Sequence, residues 1–403
     1  MTDKLTAEQF TDNDHRYMKR ALDLAALGHG MVSPNPVVGA VFVRDGKVIG
    51  EGFHKKLGGP HAEIEALAAA KDVKGATLYV TLEPCSHKGR TPPCTQALVS
   101  SGVARVIIPH LDPNPQVAGR GVKALRKAGI QVDIGLMDQE ACRVNAPFLT
   151  FHKLHRPFMI LKWAMTIDGR IAAMTGESRW ISNSQSREYV HEIRSNVDAV
   201  MVGIGTILQD NPMLNVRMKN YEKRQPRRII VDGNLRIPVR ANVLTATAPE
   251  DSIIATSDFA PPHKVQRLRD AGHHVVVMRG RRGLLDMKQL IENLKDFEIQ
   301  SVLCEGGSTM HGSIVKSGMV DRVISFVAPK IIGGDEGKSP IMGWGLPNMT
   351  EALQLEDVDI RQFGTDVCID GFVGNPLFDS SAPKPDPVAP VPPKPKRTRK
   401  SDS

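Results

Sequence analysis

The feature that most constrains this chain is His61-Ala62-Glu63, followed by Pro84-Cys85 and then Cys94. It sets one imidazole, two thiols and a carboxylate in the order used by zinc hydrolytic deaminases. A catalytic zinc takes three protein ligands and keeps its fourth position for water. The metal lowers that water's pKa toward ~7, and a carboxylate two residues from the histidine can carry the proton to the leaving amine. The pattern assigns His61, Cys85 and Cys94 to one zinc per chain and Glu63 to catalysis. Nucleobase deaminases commonly separate the two cysteines by two residues. Here eight intervene, Ser86 to Pro93.

Free cysteines often serve only as small buried apolar residues. Cys85 and Cys94, however, lie among Pro, Gly and charged residues, the composition of a turn-rich loop. Thr77 to Leu82 reads as a strand rich in β-branched and aromatic residues. That places Glu83-Pro84-Cys85 at a strand end, where α/β folds carry chemistry. Ile64, Leu67 and Ala68 have helical spacing, which puts His61 and Glu63 at a helix N-terminus.

A chain of 403 residues has room for two domains. No apolar run reaches the ~18 residues of a membrane span. The first ten residues are polar and of mixed charge, without the apolar core of a signal peptide. Five cysteines (85, 94, 142, 304, 368) are too few and too scattered for a disulfide framework, which suggests a reducing cytoplasm. The net charge of +8 is unevenly spread. From Asn375 onward six Lys/Arg and three Asp contribute +3, in a Pro-rich stretch that cannot bury a core. Residues 375–403 therefore read as a disordered basic tail. The remaining charge suits a phosphorylated small molecule and does not call for nucleic acid.

In the first half, Tyr17–Leu27 has helical periodicity, and Val37–Val43 with Val48–Phe53 form strands about the turn Asp45-Gly46. After the helix at His61 and the strand at Thr77 come a helix (Thr95–Ser101), a strand (Val103–Ile108), a helix (Gly121–Ala128) and a strand (Ile130–Ile134). A hairpin followed by alternating helices and strands predicts an α/β domain on a mixed sheet. Arg156-Pro157 marks a break. Beyond it, strands are expected at Phe158–Trp163, Ala199–Val202, Arg228–Asp232, Ser252–Ala255, His274–Met278, Ser301–Cys304 and Arg322–Val327, with helices at Ser184–Ser195 and Met287–Leu294. The expected layout is a leader (1–15), a zinc deaminase domain (16–150), a second α/β domain (156–374) and the tail.

The segments Pro34-Asn-Pro-Val-Val-Gly39, Gly59-Pro-His-Ala-Glu63, Thr81 to Cys94 and Asp112 to Gly121 resemble the bifunctional deaminase/reductase family of riboflavin biosynthesis. The eight residues between the cysteines distinguish it from tRNA adenosine and cytidine deaminases. The similarity runs from about Arg16 to Gly374. It implies a cytidine-deaminase-like α/β/α domain and a dihydrofolate-reductase-like α/β domain, with zinc and NADPH as cofactors. It further implies deamination of a diaminohydroxy-phosphoribosylaminopyrimidine, then reduction of its ribosyl group to ribityl. A homo-oligomer, dimer or higher, is implied as well.

Carried onto this sequence, the resemblance makes Asn35, His54, His87, Lys88 and Arg90 candidates for holding pyrimidine or phosphate. It places Ala164, Trp180, Thr206 and Asp210 on the nucleotide, and Ser178, Arg194, Leu214 and Arg217 on the substrate. Arg194 and Arg217 are fixed cations able to fork onto a phosphate. Cys304-Glu-Gly-Gly-Ser-Thr309 forms a second nucleotide element, in which Gly307, Ser308 and Thr309 would meet a pyrophosphate at a helix start. Glu305 is expected to hydrogen-bond the substrate. Gly203-Ile-Gly205 begins like a dinucleotide fingerprint, but Leu208 stands at the third glycine. Thr166 occupies a position where the family more often has Ser. Two other readings compete: a nucleic-acid-editing deaminase, which leaves the second domain without a role, and a scaffold with a degenerate site, which the four intact zinc-site residues oppose.

Overall fold

The computed structural model describes residues 10–86, 92–114, 117–281, 283–334 and 337–374. Residues 1–9 of the expected leader, the tail, and His87, Lys88 and Arg90 lie outside the described residues.

The first half runs α1 (Asp12–Ala26), β1 (Gly39–Arg44), β2 (Lys47–Phe53), α2 (Ala62–Ala69), β3 (Thr77–Val80), α3 (Cys94–Ser101), β4 (Arg105–Ile108), α4 (Arg120–Lys127), β5 (Gln131–Ile134), α5 (Asp138–Val144) and α6 (Ala146–Leu154). Its sheet has the order β2-β1-β3-β4-β5. β1 pairs antiparallel with β2 and β3, while β3, β4 and β5 run parallel. The two-residue period of a strand sends alternate side chains to opposite faces. Ala40, Phe42, Leu78 and Val106 pack on one side with Ala66 of α2, Leu98 of α3 and Leu125 of α4. Val41, Val43, Tyr79 and Ile107 pack on the other with Tyr17, Met18 and Leu22 of α1. The domain is three-layered, as expected.

Its start differs from the expected boundary. α1 begins at Asp12, because Thr11 and Asp14 form a reciprocal capping box, and Phe10 is buried in the core. The expected boundary at 150 also falls inside α6, whose Ala146 is packed into the core of the second half.

The second half continues with β6 (Phe158–Thr166), α7 (Ser184–Ser195), β7 (Ala199–Gly203), α8 (Ile204–Asp210), β8 (Arg227–Val231), α9 (Asn242–Thr245), β9 (Ser252–Ser257), α10 (Pro262–Asp270), β10 (His274–Met278), a short ribbon β11 (Gly280–Arg281) and β12 (Leu284–Leu285), α11 (Met287–Asn293), β13 (Ser301–Cys304), α12 (Ser308–Lys316), β14 (Arg322–Ala328), β15 (Leu355–Phe363) and β16 (Asp366–Val373). The main sheet has the order β10-β9-β8-β7-β13-β6-β14-β16-β15. It is parallel as far as β14, and the last two strands are antiparallel. Buried runs such as Met159–Leu161 and Ala199–Val202 match a sheet covered on both faces. Ile160, Val200 and Ile324 meet Val190 and Ile193 of α7 on one face. Met159, Met201 and Val302 meet Leu290 of α11 and Ile314 of α12 on the other.

The halves are joined by polar contacts. The Lys223 ammonium donates to the His29 carbonyl at 3.0 Å, and the Gln300 amide donates to the Pro34 carbonyl at 2.8 Å. Burial, with Lys223 and Arg322 nearby, lowers the His29 imidazole from 6.5 to about 4. In the unfolded chain this ring takes a proton first as the pH falls, so the folded state loses stability between about 6.5 and 4. At ~1.4 kcal/mol per unit the whole shift is worth roughly 3 kcal/mol. His29→Gln is expected to flatten the acid limb of the stability curve by about that amount, measured by urea unfolding at a series of pH values. An unchanged limb would remove His29 as its source.

Candidate functional site

The deaminase centre forms where three segments meet at the C-terminal end of β3. His61 holds the N-cap position of α2, Cys94 is the first residue of α3, and Cys85 lies in the loop after β3. The Nδ1 atom of His61 is 3.6 Å from the Cys85 sulfur and 3.3 Å from the Cys94 sulfur. Zinc bonded at ~2.3 Å to sulfur and ~2.0 Å to nitrogen in a tetrahedron would separate N and S by about 3.5 Å. The donor set therefore fits zinc in atom type and in spacing. The Cys94 amide donates to the Cys85 sulfur at 3.3 Å, and the Cys94 thiol and His61 lower the Cys85 thiol from its ordinary value, which favours the thiolate a metal binds.

Glu63 is buried in the first turn of α2. Burial, and then the charge on Cys85, pushes its carboxyl up to about 7. At that value it can both take and give a proton near neutral pH. His54 packs edge-on to His61, with ring centroids 5.3 Å apart. Its Nδ1 lies 2.9 Å from the Pro60 carbonyl and therefore carries the proton, leaving Nε2 to accept from the Asn35 side-chain amide at 3.2 Å. The structure thus brings Asn35 and His54 to this centre.

The sequence did not single out Glu83, which braces the site from behind. Its buried carboxylate accepts from four backbone N–H groups: Asp112 at 3.0 Å, Gly119 at 2.9 Å, Gly121 at 2.8 Å and Val122 at 3.1 Å. The loop and the start of α4 are thereby fixed against Pro84-Cys85. The approach is so close that a Cβ at Gly121 would lie 2.1 Å from the Pro84 carbonyl oxygen. The signal was present as an acidic residue just before the Pro-Cys pair, but local pattern cannot show a partner 29 to 39 residues away. Glu83→Ala orphans four backbone donors, two of them fully buried, and charged hydrogen bonds contribute ~1.5–3 kcal/mol each with incomplete additivity. A loss of about 3 kcal/mol or more is expected in chemical denaturation, together with weaker zinc retention. A loss below ~1 kcal/mol would contradict the brace.

The second site is a cleft of about 1360 Å³ at the C-terminal ends of β6, β7, β8 and β13. Ala164, Ser178, Trp180, Arg194, Thr206, Asp210, Leu214, Arg217, Glu305, Gly307, Ser308 and Thr309 all line it. Gly203-Ile-Gly205 is the turn from β7 into α8, with the Gly203 amide donating to the Gly306 carbonyl at 2.9 Å. Gly306 has φ 115°, a conformation that side chains rarely adopt, and Gly307 caps α12. The start of α12 therefore lies at the cleft wall, with Ser308 and Thr309 in its lining, an end of a helix able to hold an anion. The Thr166 hydroxyl accepts from the Arg170 amide at 2.9 Å and closes the Asp168-Gly169 turn, a task either Ser or Thr performs.

Trp180 is 62% exposed at the rim, with the Arg187 guanidinium 4.4 Å from its ring centroid, so it is not a core residue. Arg194 and Glu305 line the cleft as a pair: the Arg194 guanidinium forks onto the Glu305 carboxylate, at 2.5 and 2.8 Å, and donates to the Asn215 carbonyl at 3.2 Å. Glu305 is correspondingly paired, and Arg194 and Lys162 bring its carboxyl down to about 2 despite burial. A buried carboxylate at a strand end needs a cation, and Arg194 is the one that reaches it. Arg217 stays exposed at the rim.

Lys162 was also missed. It sits on β6 in the cleft, with Glu305 as its opposite charge and the Phe326 ring centroid 5.6 Å from its nitrogen. Burial lowers its ammonium from the ordinary lysine value. In the sequence it was one residue of an apolar strand, Phe158 to Trp163.

Fold and site together define a zinc-dependent, cytidine-deaminase-like hydrolase joined to a dihydrofolate-reductase-like reductase. The family models agree: residues 11–109 match the cytidine and deoxycytidylate deaminase zinc-binding region, and residues 157–369 match the RibD C-terminal domain. The chain belongs to the RibD family of bifunctional riboflavin biosynthesis enzymes. It is 43% identical to the riboflavin biosynthesis protein RibD of Aquifex aeolicus over 357 residues, covering 88% of this chain and 97% of that protein. Its identity to RibD of Escherichia coli is 40% over 370 residues, covering 88% and 98%. Among solved structures, Acinetobacter baumannii RibD superposes with a TM-score of 0.81 at 37% identity, covering 90% of this chain and 99% of that one. A Thermotoga maritima diaminohydroxyphosphoribosylaminopyrimidine deaminase/5-amino-6-(5-phosphoribosylamino)uracil reductase does so at 0.79, also at 37% identity, covering 90% and 99%. The chain is thus a deaminase and a reductase that uses zinc and NADPH.

Proposed function

We propose that His61, Cys85 and Cys94 hold the zinc and that Glu63 carries the proton in removing the 2-amino group of the diaminohydroxy-phosphoribosylaminopyrimidine. The convergence of His61 Nδ1 with two sulfurs beside a buried carboxyl supports this reading most strongly. Zinc, when bound, supplies hydroxide at neutral pH. Glu63 accepts a proton and returns it to the departing amine, a double duty that suits a group near 7. Asn35, held by His54, presents its amide to the pyrimidine edge. The roles of His87, Lys88 and Arg90 rest on the resemblance alone.

In the reductase half, NADPH supplies hydride when bound. Gly307, Ser308 and Thr309 bind its pyrophosphate, with Ala164, Trp180, Thr206 and Asp210 along its length. Arg217 meets the substrate phosphate at the rim, and Ser178 and Leu214 contact the substrate. Arg194 acts through Glu305, whose carboxylate it fixes. Lys162, beside that carboxylate, donates a proton or hydrogen bond to the ribosyl group as it opens. The product is 5-amino-6-(5-phosphoribitylamino)uracil. The deaminase half extends from Asp12 into α6, and the reductase half from residue 156 to 374.

No described helix is long and apolar enough to cross a membrane. A cytoplasmic location is favoured by five cysteines, none of which forms a disulfide. A homo-oligomer is favoured by the exposed apolar residues Ile331, Met349 and Ile360, the last of them on the edge strand β15. The substrate assignment is tested by offering the free phosphorylated diaminopyrimidine and, separately, cytosine- or adenine-containing oligonucleotides. Ammonia release from the small molecule alone is expected; release from oligonucleotides alone would overturn the assignment.

A further inference from the structure

We propose that His110, Asp138 and Cys142 form a second divalent-cation site, separate from the deaminase zinc and suited to zinc or another thiophilic ion. None of the three is a ligand of the catalytic zinc or lines the reductase cleft. His110 follows β4, the neighbour of the strand whose end leads to Cys85. Asp138 opens α5 and Cys142 lies four residues on, so the two side chains leave the same face of the helix. One ligand atom from each residue lies within 4.8 Å of the other two, the same criterion met by His61, Cys85 and Cys94. The Cys142 sulfur is 3.7 Å from Asp138 Oδ1.

The chemistry of the group favours a metal with affinity for nitrogen and sulfur. His110 Nδ1 lies 2.9 Å from the Leu111 carbonyl oxygen. A carbonyl only accepts, so Nδ1 carries the proton and Nε2 holds the lone pair. Metal-binding histidines are commonly oriented in this way. Cys142 is buried, and His110 and Asp138 are half-buried. The Cys142 thiol donates to the Asp138 carboxylate, and a cation bound there would take the place of that proton. An imidazole, a carboxylate and a thiolate match the ligand preferences of zinc and not those of magnesium or calcium, which take oxygen. Three protein ligands leave a fourth position for water.

The position gives the site a role. An ion there ties the end of β4 to α5, whose Ala141 is packed in the same core as Tyr17 and Met18 of α1. The residue after next from His110 is Asp112, whose amide is gripped by Glu83 behind the zinc centre. Occupancy ties the start of this loop to α5.

The test uses the full-length enzyme carrying its catalytic zinc, dialysed against free zinc and counted by mass spectrometry. About two zinc ions per chain are expected for the unaltered enzyme, and about one for Cys142→Ala or Asp138→Asn. Cys142→Ala replaces a small buried side chain by another, and Asp138→Asn preserves shape, so each controls for damage by the other. Deaminase turnover at saturation is expected to be unchanged in both. Added zinc is expected to raise the melting temperature of the unaltered enzyme and to leave that of the variants where it was. Cobalt added to the zinc-loaded enzyme is expected to give a thiolate charge-transfer band that Cys142→Ala abolishes. Saturation at about one ion, variants that still bind two, or variants that lose the catalytic ion as well would each overturn a separate second site.

Discussion

Glu63→Gln is expected to lower deaminase turnover by ~10²–10⁴-fold while zinc content and NADPH-dependent reduction of supplied deaminated intermediate stay normal. The substitution keeps the shape of a side chain that is buried at the start of α2 and is not a metal ligand. What it removes is the proton carrier. Glutamine cannot exchange a proton near pH 7, whereas burial and the Cys85 charge hold the Glu63 carboxyl at about that value. Ammonia release and bound zinc, measured on the same preparation, separate this loss from loss of the metal. Cys85→Ser supplies the contrast: zinc and deamination are expected to fall together, because a thiolate ligand is gone. If Glu63→Gln deaminated normally, the carboxyl would have no part in the reaction.

Lys162→Met is expected to act on the other half alone. Methionine keeps the apolar stem on β6 and removes the ammonium from the cleft, while Glu305 remains paired with Arg194. The fold therefore survives. Loss of a donor aimed at developing charge in a water-poor site costs ~10²–10³-fold in turnover. NADPH oxidation with the deaminated intermediate measures it, and ammonia release provides the control. Burial lowers the lysine from its ordinary value, so the alkaline limb of the reductase pH profile should lie below the usual lysine range and disappear in the variant. A variant with full turnover and an unchanged alkaline limb would assign Lys162 to packing. Arg194→Ala is expected to do something different: it strands the Glu305 carboxylate in the interior and destabilises the domain by ~3–5 kcal/mol.

The candidate zinc centre was legible because the residues that converge there carry their own signature. His61, Glu63, Cys85 and Cys94 are close in sequence and chemically distinctive, and the strand and helices that hold them have strong periodicity. The parallel strands of the second half were legible for a related reason: buried on both faces, they read as apolar runs. The terminal hairpin was not. β15 is mostly exposed along Leu355–Phe363, so its sequence lacks the alternation that marks a half-buried strand. α5 and α6 are short and were passed over.

Pairing was the least legible property. The Glu83 clamp spans up to 39 residues and the Arg194–Glu305 pair spans 111. Residue type and spacing could mark Arg194 as a cation able to fork, but only the fold shows that a buried carboxylate claims it. Lys162 was hidden by the opposite effect, since a charged residue within an apolar strand reads as an interruption until the cleft it faces is known.

One experiment tests most directly whether two independent sites in this chain act in sequence. The diaminopyrimidine substrate, NADPH and zinc-loaded enzyme are mixed, and ammonia and cofactor are followed separately. Ammonia release is expected to precede NADPH oxidation and then match it mole for mole. Glu63→Gln is expected to abolish both traces from the diaminopyrimidine and to restore NADPH oxidation once deaminated intermediate is supplied. NADPH consumed without ammonia, or ammonia released with no subsequent oxidation, would contradict the account.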